Sequence, residues 1–589
     1  MPCNPARFSA RLLALVLTGA APALLCAACS GPAPTGADER SGVFTLRHEH
    51  IATLTGPARD QPCDIDADLY LPSDATSEHR APALIDSHGF GATKTQESPM
   101  DAELARRGYV VLAYTQLGHE GSGCQIHLDD PDYEGAVASQ LVDYLAGAPG
   151  LAFADAEHTK PLPALTVVES DEQDHAGGHT AHDPRVGMIG GSYGGEIQFI
   201  AAARDPRIDV LVPSVTWNDL NQELAPNFAT QSGSAPLPGS PKAGIAESLL
   251  RSGEHDPEAT FGSVEQGNGC RRIAPVACQA LVELGTRGQL SEGERQQLLS
   301  RSVKSFIDKI NVPVLLAQGE EDRLAPFNEA LKTYQALRER HVPVQLLWHK
   351  YGHDSPWDHG GPVGDSGWNF DPDKVEHAFA SMQVIRWLNH YLKGEQLVDT
   401  GASFNYYRPW SDGPGVESAL TYGRAANYPA GPEQSWYLTA DEQLVGVPGD
   451  PAQGQQAVTR EPAGGSGPAK TFTSAALEQP VDVVGAGKLA VSMSAGAGTG
   501  TVFVALRDIA PDGTSDLVTK LPSLARFSGE GPVVVELAGV AHRFAPGHKI
   551  QLTVAGADPA YTSDPNPAPV TLFLGDYSAR LTLPTAPAN

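Results

Sequence analysis

Six runs of consecutive apolar residues between positions 81 and 353 limit the folds open to this chain. They are "APALIDSHGFG", "YVVLAYTQLG", "VGMIGGSYGG", "IDVLVPSV", "VPVLLAQGEED" and "VQLLWHKYGH". Runs without polar alternation are typical of strands buried on both faces of a parallel sheet. They are separated by helical stretches such as Tyr133 to Ala146 and Phe327 to His341. This alternation predicts a doubly wound α/β domain with its functional residues at the carboxyl ends of the strands.

The third run ends in a cluster of glycines around one serine. Gly190-Gly191-Ser192-Tyr193-Gly194 fits G-x-S-x-G, and a helical pattern follows from Glu196. Glycine weakens strands and helices, so such a cluster marks a backbone forced into unusual conformations. Between a strand and a helix, the motif predicts the sharp turn that exposes a nucleophilic serine above an α/β-hydrolase sheet. The alternative is a glycine-rich loop with an incidental serine.

A candidate acid and a candidate base follow the last two apolar runs. Asp322 ends the fifth run, with Glu320 and Glu321 as competitors, and His353 ends the sixth. The order Ser192, Asp322, His353 is that of α/β-hydrolases, and each residue follows a predicted strand at the same edge of the sheet. The alternatives are that Asp322 caps a helix and that His353 is an ordinary loop histidine.

A serine nucleophile also requires donors for the oxyanion that forms when it attacks a carbonyl group. An imidazole must take the serine proton, a carboxylate must orient the imidazole, and preorganised N–H groups must face the oxyanion. We expect the first donor to be the backbone N–H of Tyr193. The second should come from "SHGFGATK", through the N–H of Phe90 or Gly91, with His88 ordering that loop.

The rest of the chain divides into a cap and a second domain. Residues 218–310 break the alternation, and "APVACQALVELGTRG" and "SEGERQQLLSRSVKSFIDKI" predict helices of a cap over the active site. A chain of 589 residues is too long for one core. Short alternating runs such as "KLAVSMSA" and "HKIQLTVAG" predict a C-terminal β-sandwich. We therefore expect a hydrolase domain over 43–394 and a sandwich over 395–589.

The N-terminus reads as a targeting segment. Arg7 and Arg11 precede the short apolar run "LLALVLTGAAPALL", which predicts a signal peptide over residues 1–28. Cys29 then resembles the lipid-attachment cysteine of bacterial lipoproteins, and residues 29–42 would form a flexible tether. The expected location is the cell surface. The alternative is ordinary cleavage and secretion.

Cysteine usage agrees with export. Beyond Cys29, the four cysteines Cys63, Cys124, Cys270 and Cys278 form an even number. In an oxidising compartment this predicts two disulfides, Cys270–Cys278 by proximity and Cys63–Cys124 by elimination. Their spacing is not that of a zinc site.

Charge excludes some partners. The formal net charge of -29, without a basic stripe, disfavours nucleic-acid binding. The segment "ESDEQDHAGGHTAHD" places His175, His179 and His182 among acids, but its polarity favours a solvated loop over a metal site. We expect neither a metal nor a cofactor, and membrane contact only through the lipid anchor. The sequence leaves the oligomeric state open.

Several of these motifs together resemble one family. "HDPRVGMIGGSYGG", "VTWNDL", "LLAQGEED", "YGHD" and the C-terminal sandwich are similar to the cocaine esterase (CocE/NonD) and X-prolyl dipeptidyl peptidase group of α/β-hydrolases. The resemblance implies a helical cap, a jelly-roll C-terminal domain and acyl-enzyme chemistry without a cofactor. It places Ser192, Asp322 and His353 on the triad and Tyr193 on an oxyanion donor. Some members use a tyrosine hydroxyl from the early loop, where this chain has Phe90.

The leading hypothesis is an exported serine hydrolase that cleaves ester or amide bonds of small molecules or short peptides. An X-prolyl dipeptidyl aminopeptidase is the alternative within the same chemistry, and it would require a buried carboxylate for the substrate's free amine. A non-catalytic surface binding lipoprotein is the alternative from another class.

Overall fold

The apolar runs form the centre of a large mixed sheet. The structure, a computed structural model, describes residues 39–40, 43–180, 182–264, 269–353, 369–446, 454–458, 469–562, 568–574 and 578–587. The predicted signal peptide (1–28), Cys29 and nearly all of the predicted tether (29–42) lie outside these residues.

In the described part of the chain, thirteen strands precede the C-terminal region. They are β1 (Glu39–Arg40), β2 (Phe44–Thr55), β3 (Gln61–Pro72), β4 (Ala83–Ser87), β5 (Val110–Tyr114), β6 (Ala152–Phe153), β7 (Val186–Gly191), β8 (Ile208–Ser214), β9 (Ala229–Gln231), β10 (Val314–Gly319), β11 (Val344–His349), β12 (Phe404–Tyr407) and β13 (Tyr422–Ala425). All but β9 form one sheet in the order β1-β2-β3-β5-β4-β7-β8-β10-β11-β12-β13, with β6 beside β2.

The centre of this sheet is parallel. Strands β5, β4, β7, β8, β10, β11 and β12 run parallel to their neighbours, and antiparallel strands flank them at both edges. The six strands that correspond to the apolar runs are buried over nearly their whole length. The predicted doubly wound α/β-hydrolase sheet is therefore confirmed.

Helices cover both faces of this sheet. The described residues contain α1 (Ser98–Arg106), α2 (Glu134–Leu145), α3 (Tyr193–Arg204), α4 (Leu220–Leu224), α5 (Ile245–Glu254), α6 (Phe261–Ser263), α7 (Pro275–Arg287), α8 (Glu292–Leu299), α9 (Phe327–Glu339) and α10 (Phe379–Tyr391). Helices α2, α3 and α9 pack on one face, and α1 and α10 pack on the other. Among these helices, none combines the length and the hydropathy that a membrane span requires.

Helices α4 to α8 make up the cap, between β8 and β10. The prediction of one helix over residues 291–310 is wrong, because α8 ends at Leu299 and two short 3₁₀ turns follow. The guanidinium of Arg301 donates to the backbone oxygen of His127 at 3.0 Å and pairs with Asp130 at 2.5 Å. These tertiary contacts fix the chain at Arg301, two residues beyond the end of α8.

The described residues of the C-terminal region form strands connected by loops. They are β14 (Glu433–Leu438), β15 (Gln443–Val445), β16 (Gly454–Val458), β17 (Lys470–Ser474), β18 (Val481–Gly485), β19 (Lys488–Ile509), β20 (Ser515–Leu517), β21 (Ser523–Glu536), β22 (Val540–Phe544), β23 (Lys549–Ala555), β24 (Val570–Leu574) and β25 (Arg580–Pro584). The long strand β19 pairs with β21, β23, β24 and β25 and so links the layers around one apolar core. This agrees with the predicted sandwich.

The boundary between the two domains differs from the expected one. The expected sandwich begins at residue 395, but β12 and β13 belong to the first sheet. Strand β12 lies parallel to β11, with Leu346 opposite Phe404. The first sheet therefore ends at Ala425 rather than at residue 394.

The cap also contributes to the second domain. Residues 225–243, which we call the strap, connect α4 to α5 and run along the sandwich. Strand β9 in the strap pairs antiparallel with β21. Phe228, just before β9, is 4% exposed and lies in the apolar core of the sandwich. The strap therefore joins the cap to the second domain through both backbone pairing and core packing.

The described residues contain two disulfides, with the predicted pairing. Cys63 on β3 is bonded to Cys124, and Cys270 is bonded to Cys278 on α7. The first disulfide joins two cysteines that are 61 residues apart along the chain, and it fixes the loop after β5 to the sheet. The Ile126 N–H in that loop donates to the Arg272 backbone oxygen at 2.8 Å, close to the second disulfide. The loop held by the first cross-link therefore pairs with the cap segment beside the second.

Candidate active site

Ser192 lies at the turn between β7 and α3. Its backbone has φ 57° and ψ -118°, a left-handed conformation that a serine rarely adopts. The Ser192 N–H donates to the backbone oxygen of Ser214, the last residue of β8, at 2.8 Å. This anchored turn exposes the hydroxyl at the carboxyl edge of the sheet, as expected for a nucleophile elbow.

Two positions of the motif must be glycine because the backbone of β4 passes close to them. A Cβ atom at Gly190, where φ is 147°, would lie 2.1 Å from the Ser87 backbone oxygen. A Cβ atom at Gly194 would lie 1.7 Å from the same oxygen. The glycines thus allow the elbow to pack directly against the end of β4, where the early loop begins.

The structure brings Ser192, His353 and Asp322 together. His353 Nε2 lies 2.8 Å from Ser192 Oγ, and His353 Nδ1 lies 3.0 Å from Asp322 Oδ2. Because a carboxylate only accepts, Nδ1 carries the proton and Nε2 is free to accept the serine proton. The arrangement is that of a nucleophile, a general base and an orienting acid.

Asp322 is held in place by several further donors. Its Oδ1 accepts the N–H groups of Leu324 and Ala325, each at 2.8 Å, and its Oδ2 accepts the Gln318 amide at 3.1 Å. Helix α9 has Pro326 as its N-cap, so Asp322 does not cap it. The carboxylate instead closes the turn that follows β10.

The two competing acids point elsewhere. Glu321 pairs with Lys520 of the second domain at 2.7 Å. Glu320 is 9% exposed, and burial raises its pKa well above the usual range. Of the three acids, Asp322 is the one bonded to His353.

The early loop after β4 lies against the nucleophile. A Cβ atom at Gly89 would lie 3.7 Å from Ser192 Cβ. The Gly89 N–H already donates to Gln96 Oε1 at 2.8 Å. A Cβ atom at Gly91 would overlap Ser252 Oγ in helix α5 of the cap. The backbone at Phe90 therefore lies between the nucleophile and the cap.

His88 orders this loop. Its Nδ1 donates to the Gly89 backbone oxygen at 2.7 Å, and its Nε2 accepts the Gln116 N–H at 2.9 Å. Burial lowers the pKa of His88 to about 4, so the ring is neutral near pH 7 and both nitrogens keep these roles. His88 thus connects the early loop to the loop after β5.

A pocket of about 530 Å³, including its open mouth, adjoins the Ser192 hydroxyl beneath the cap. Its walls are mostly apolar, and both the hydrolase domain and the cap contribute to them: Phe90, Leu128, Trp217, Leu220, Leu224, Leu249, Leu281 and Leu324. The ring of Phe90 meets that of Tyr193 edge to face at 5.5 Å. A pocket of this kind accommodates a compact apolar group attached to the carbonyl carbon that Ser192 would attack.

Two buried carboxylates interrupt this apolar lining. Glu196 and Glu223 are 0% and 1% exposed. Burial raises the pKa of Glu223 to about 7, although Lys242, whose Nζ lies 2.8 Å from Glu223 Oε1, opposes the rise. Burial also raises the pKa of Glu196. The nearby Trp217 indole opposes this rise in the pKa of Glu196, although it makes no hydrogen bond of normal geometry to the carboxylate. In the described part of the chain, neither Glu196 oxygen has a hydrogen-bond partner.

These pocket residues were not predicted from the sequence. Glu196 comes four residues after Ser192 on α3, and residues with this spacing lie on the same face of a helix, so its presence near the nucleophile could have been inferred. Glu223 and Lys242 carry no comparable signal, because their positions depend on how the cap packs.

The histidines of the acidic segment are not gathered at one point. His175 pairs with Asp209 at 3.0 Å, and His179 donates to the Glu172 backbone oxygen at 2.8 Å. Within the described residues, no group of three potential ligands could hold a metal ion.

Comparison with protein families assigns both parts of the chain. Residues 61–361, just over half of the chain, match the X-Pro dipeptidyl-peptidase (S15) family. Residues 424–576 match the C-terminal non-catalytic domain of X-Pro dipeptidyl-peptidases. The second match begins where the first sheet ends.

Solved structures share the whole architecture. An aminopeptidase from a Thaumarchaeota archaeon has a TM-score of 0.63 at 14% identity, over 94% of this chain and 99% of that one. An α-amino acid ester hydrolase has a TM-score of 0.61 at 14% identity, over 94% and 100%. A CocE/NonD family hydrolase from Staphylococcus aureus has a TM-score of 0.60 at 11% identity, over 92% and 94%. At these identities the likeness concerns the fold.

Curated relatives match over shorter segments. The mouse acylamino-acid-releasing enzyme is 44% identical over 52 residues, which are 9% of this chain and 7% of the relative. A protein of Mycobacterium tuberculosis described as a serine esterase is 23% identical over 270 residues, or 35% and 40% of the two chains. This chain thus spans less than half the length of either relative. With its α/β-hydrolase sheet, cap and C-terminal domain, it belongs to the S15 family of X-Pro dipeptidyl-peptidases.

Proposed function

We propose that this protein is an exported serine hydrolase that cleaves ester or amide bonds of small molecules or short peptides through an acyl-enzyme on Ser192. The observation that supports it most is the 2.8 Å distance between His353 Nε2 and Ser192 Oγ, with Asp322 on the opposite nitrogen. In this arrangement the serine proton has an acceptor at the moment of attack.

The reaction follows from these contacts. Ser192 Oγ attacks the substrate carbonyl carbon while His353 Nε2 takes its proton, and the imidazolium then protonates the leaving group as its bond breaks. Water, deprotonated by the same nitrogen, hydrolyses the acyl-enzyme. Asp322 stabilises the imidazolium and remains ionised.

Backbone N–H groups would hold the oxyanion. Tyr193 is the first residue of α3, so its N–H has no acceptor within the helix. The Gly89 N–H is already bonded to Gln96, so the N–H of Phe90 or Gly91 remains our candidate for the second donor. Each such donor contributes about 10²- to 10³-fold in rate.

Labelling with a fluorophosphonate tests the assignment. The wild-type protein should take up one label per chain on Ser192, identified by peptide mapping, and the Ser192→Ala variant should take up none. An unlabelled wild type would favour the non-catalytic binding lipoprotein instead. Label on another residue would reject Ser192 as the nucleophile.

The pocket favours substrates with a free amine in the acyl part. Glu196 and Glu223 lie in the same pocket as Ser192, and a buried carboxylate is stabilised by a cation placed against it. This supports the X-prolyl dipeptidyl aminopeptidase alternative, in which the pocket would hold both an ammonium group and an apolar side chain.

Replacing Glu196 with glutamine separates the two alternatives. For Ala-Pro-para-nitroanilide we expect kcat/KM to fall about 10- to 100-fold, because a charged partner is lost in a buried site. N-acetylated Ala-Pro-para-nitroanilide and para-nitrophenyl acetate have no ammonium and should lose far less. Equal losses with all three substrates would contradict amine recognition by Glu196. Turnover of the acetate alone would favour a simple esterase.

We also propose that the protein is exported with residues 1–28 as signal peptide and Cys29 as lipid-bearing residue. The two disulfides support an oxidising compartment. The mass of the mature N-terminal peptide distinguishes a diacylglycerol-modified Cys29 from simple cleavage.

A further inference from the structure

The last residues of the strap are held by the second domain. Lys242 forms an isolated antiparallel bridge with Tyr561. On either side of it, the Ala243 N–H donates to the Ala560 backbone oxygen at 2.9 Å, and the Thr562 N–H donates to the Pro241 backbone oxygen at 2.8 Å. The second domain therefore fixes the backbone from which the Lys242 side chain extends.

The Lys242 side chain points into the hydrolase and is almost fully buried, at 8% exposed. Its ammonium donates to Glu223 Oε1 at 2.8 Å and also to the Leu324 backbone oxygen. Glu223 and Leu324 both line the pocket beside Ser192. One ammonium thus connects the helix α4 side of the pocket to the turn that follows β10.

That turn holds the catalytic acid. The N–H of Leu324 donates to Asp322 Oδ1, and the other oxygen of Asp322 faces His353. The peptide unit that follows Leu324 therefore has its carbonyl fixed by Lys242 and its N–H, on Ala325, fixed by Asp322. Without Lys242, the Leu324 carbonyl would lose a buried charged donor, which is costly in an apolar surrounding.

We propose that Lys242 is a positioning residue of this active site, through which the second domain aligns the Asp322 turn and compensates the charge of Glu223. The proposal rests on the proposed function, because the aligned group is the acid of that triad. It gives the second domain a role in the reaction without a contact to the substrate.

Replacing Lys242 with methionine, which keeps a similar length without the charge, tests this role. We expect the rate of fluorophosphonate labelling and kcat to fall about 10- to 100-fold, as for small displacements of catalytic groups, with a smaller change in KM. Lys242→Arg should retain more activity than Lys242→Met. The matched control is Lys520→Met, whose half-buried lysine pairs with Glu321 near the same turn and should label at close to the wild-type rate.

A second variant separates positioning from simple charge balance. In Lys242→Met, the buried Glu223 carboxylate is left without its cation, which should lower thermal stability. The double variant Lys242→Met with Glu223→Gln removes that carboxylate, so thermal stability should recover relative to Lys242→Met. The labelling rate should stay low because the Leu324 carbonyl still lacks its donor. Full recovery of the labelling rate, or a wild-type rate in Lys242→Met, would overturn the proposal. A wild-type protein without any labelling would instead reject the underlying function.

Discussion

Replacing Ser192 with alanine is expected to lower kcat/KM by about 10⁴- to 10⁶-fold with any substrate the enzyme turns over. The hydroxyl is the attacking group, and the remaining donors and pocket cannot replace it. The fold should persist, because the N–H of residue 192 still donates to the Ser214 backbone oxygen. Initial rates with para-nitrophenyl acetate and thermal unfolding of both proteins measure these effects.

Ser214 provides the matched control. It is fully buried at the end of β8, and its hydroxyl has no partner among the described residues. Ser214→Ala therefore removes a neighbouring serine hydroxyl that takes no part in the proposed chemistry, and activity should stay within about threefold of wild type. If Ser192→Ala retained more than about 1% of the activity, the nucleophile would have to be sought elsewhere.

Replacing Asp322 with asparagine is the second large effect, with an expected loss in kcat of about 10⁴-fold. Asparagine can still accept the N–H groups of Leu324 and Ala325, so the turn should remain closed. It cannot stabilise the imidazolium, and its amide can donate to His353 Nδ1 and so favour the wrong tautomer. Single-turnover kinetics would show the loss in the acylation step.

The neighbouring acids test whether the effect belongs to Asp322. Glu320→Gln and Glu321→Gln should each change kcat by less than about threefold, because neither side chain is bonded to His353. If Glu320→Gln lost as much activity as is expected for Asp322→Asn, Asp322 would not be the acid that orients His353.

The positions of Ser192, Asp322 and His353 could be predicted because each follows a parallel strand, and parallel strands bring their carboxyl ends to one edge. The glycines of the motif indicate an unusual backbone at the elbow, and the structure shows that Gly190 and Gly194 leave room for the Ser87 carbonyl. These features depend on local backbone geometry that the sequence encodes directly.

Other features depend on packing between distant segments. The strands "FNYY" and "YGRA" (β12 and β13) are only four residues long, and nothing in so short a sequence says which sheet a strand joins. Lys242 was not foreseen because its role exists only when the strap, α4 and the turn after β10 meet. Helical spacing alone could have placed Glu196 near Ser192. Its burial in an apolar pocket could not be expected, because charged residues are rarely buried in a core helix.

The strap limits how the two domains of this chain can be exchanged during evolution. Phe228 and β9 lie within the first domain's sequence but complete the core and the sheet of the second. A gene fusion that exchanged everything after Ala425 would leave Phe228 without its surroundings and β9 without its partner strand β21. Evolution can therefore vary the two modules only in concert, and substitutions along β21 should be matched by substitutions in residues 225–243.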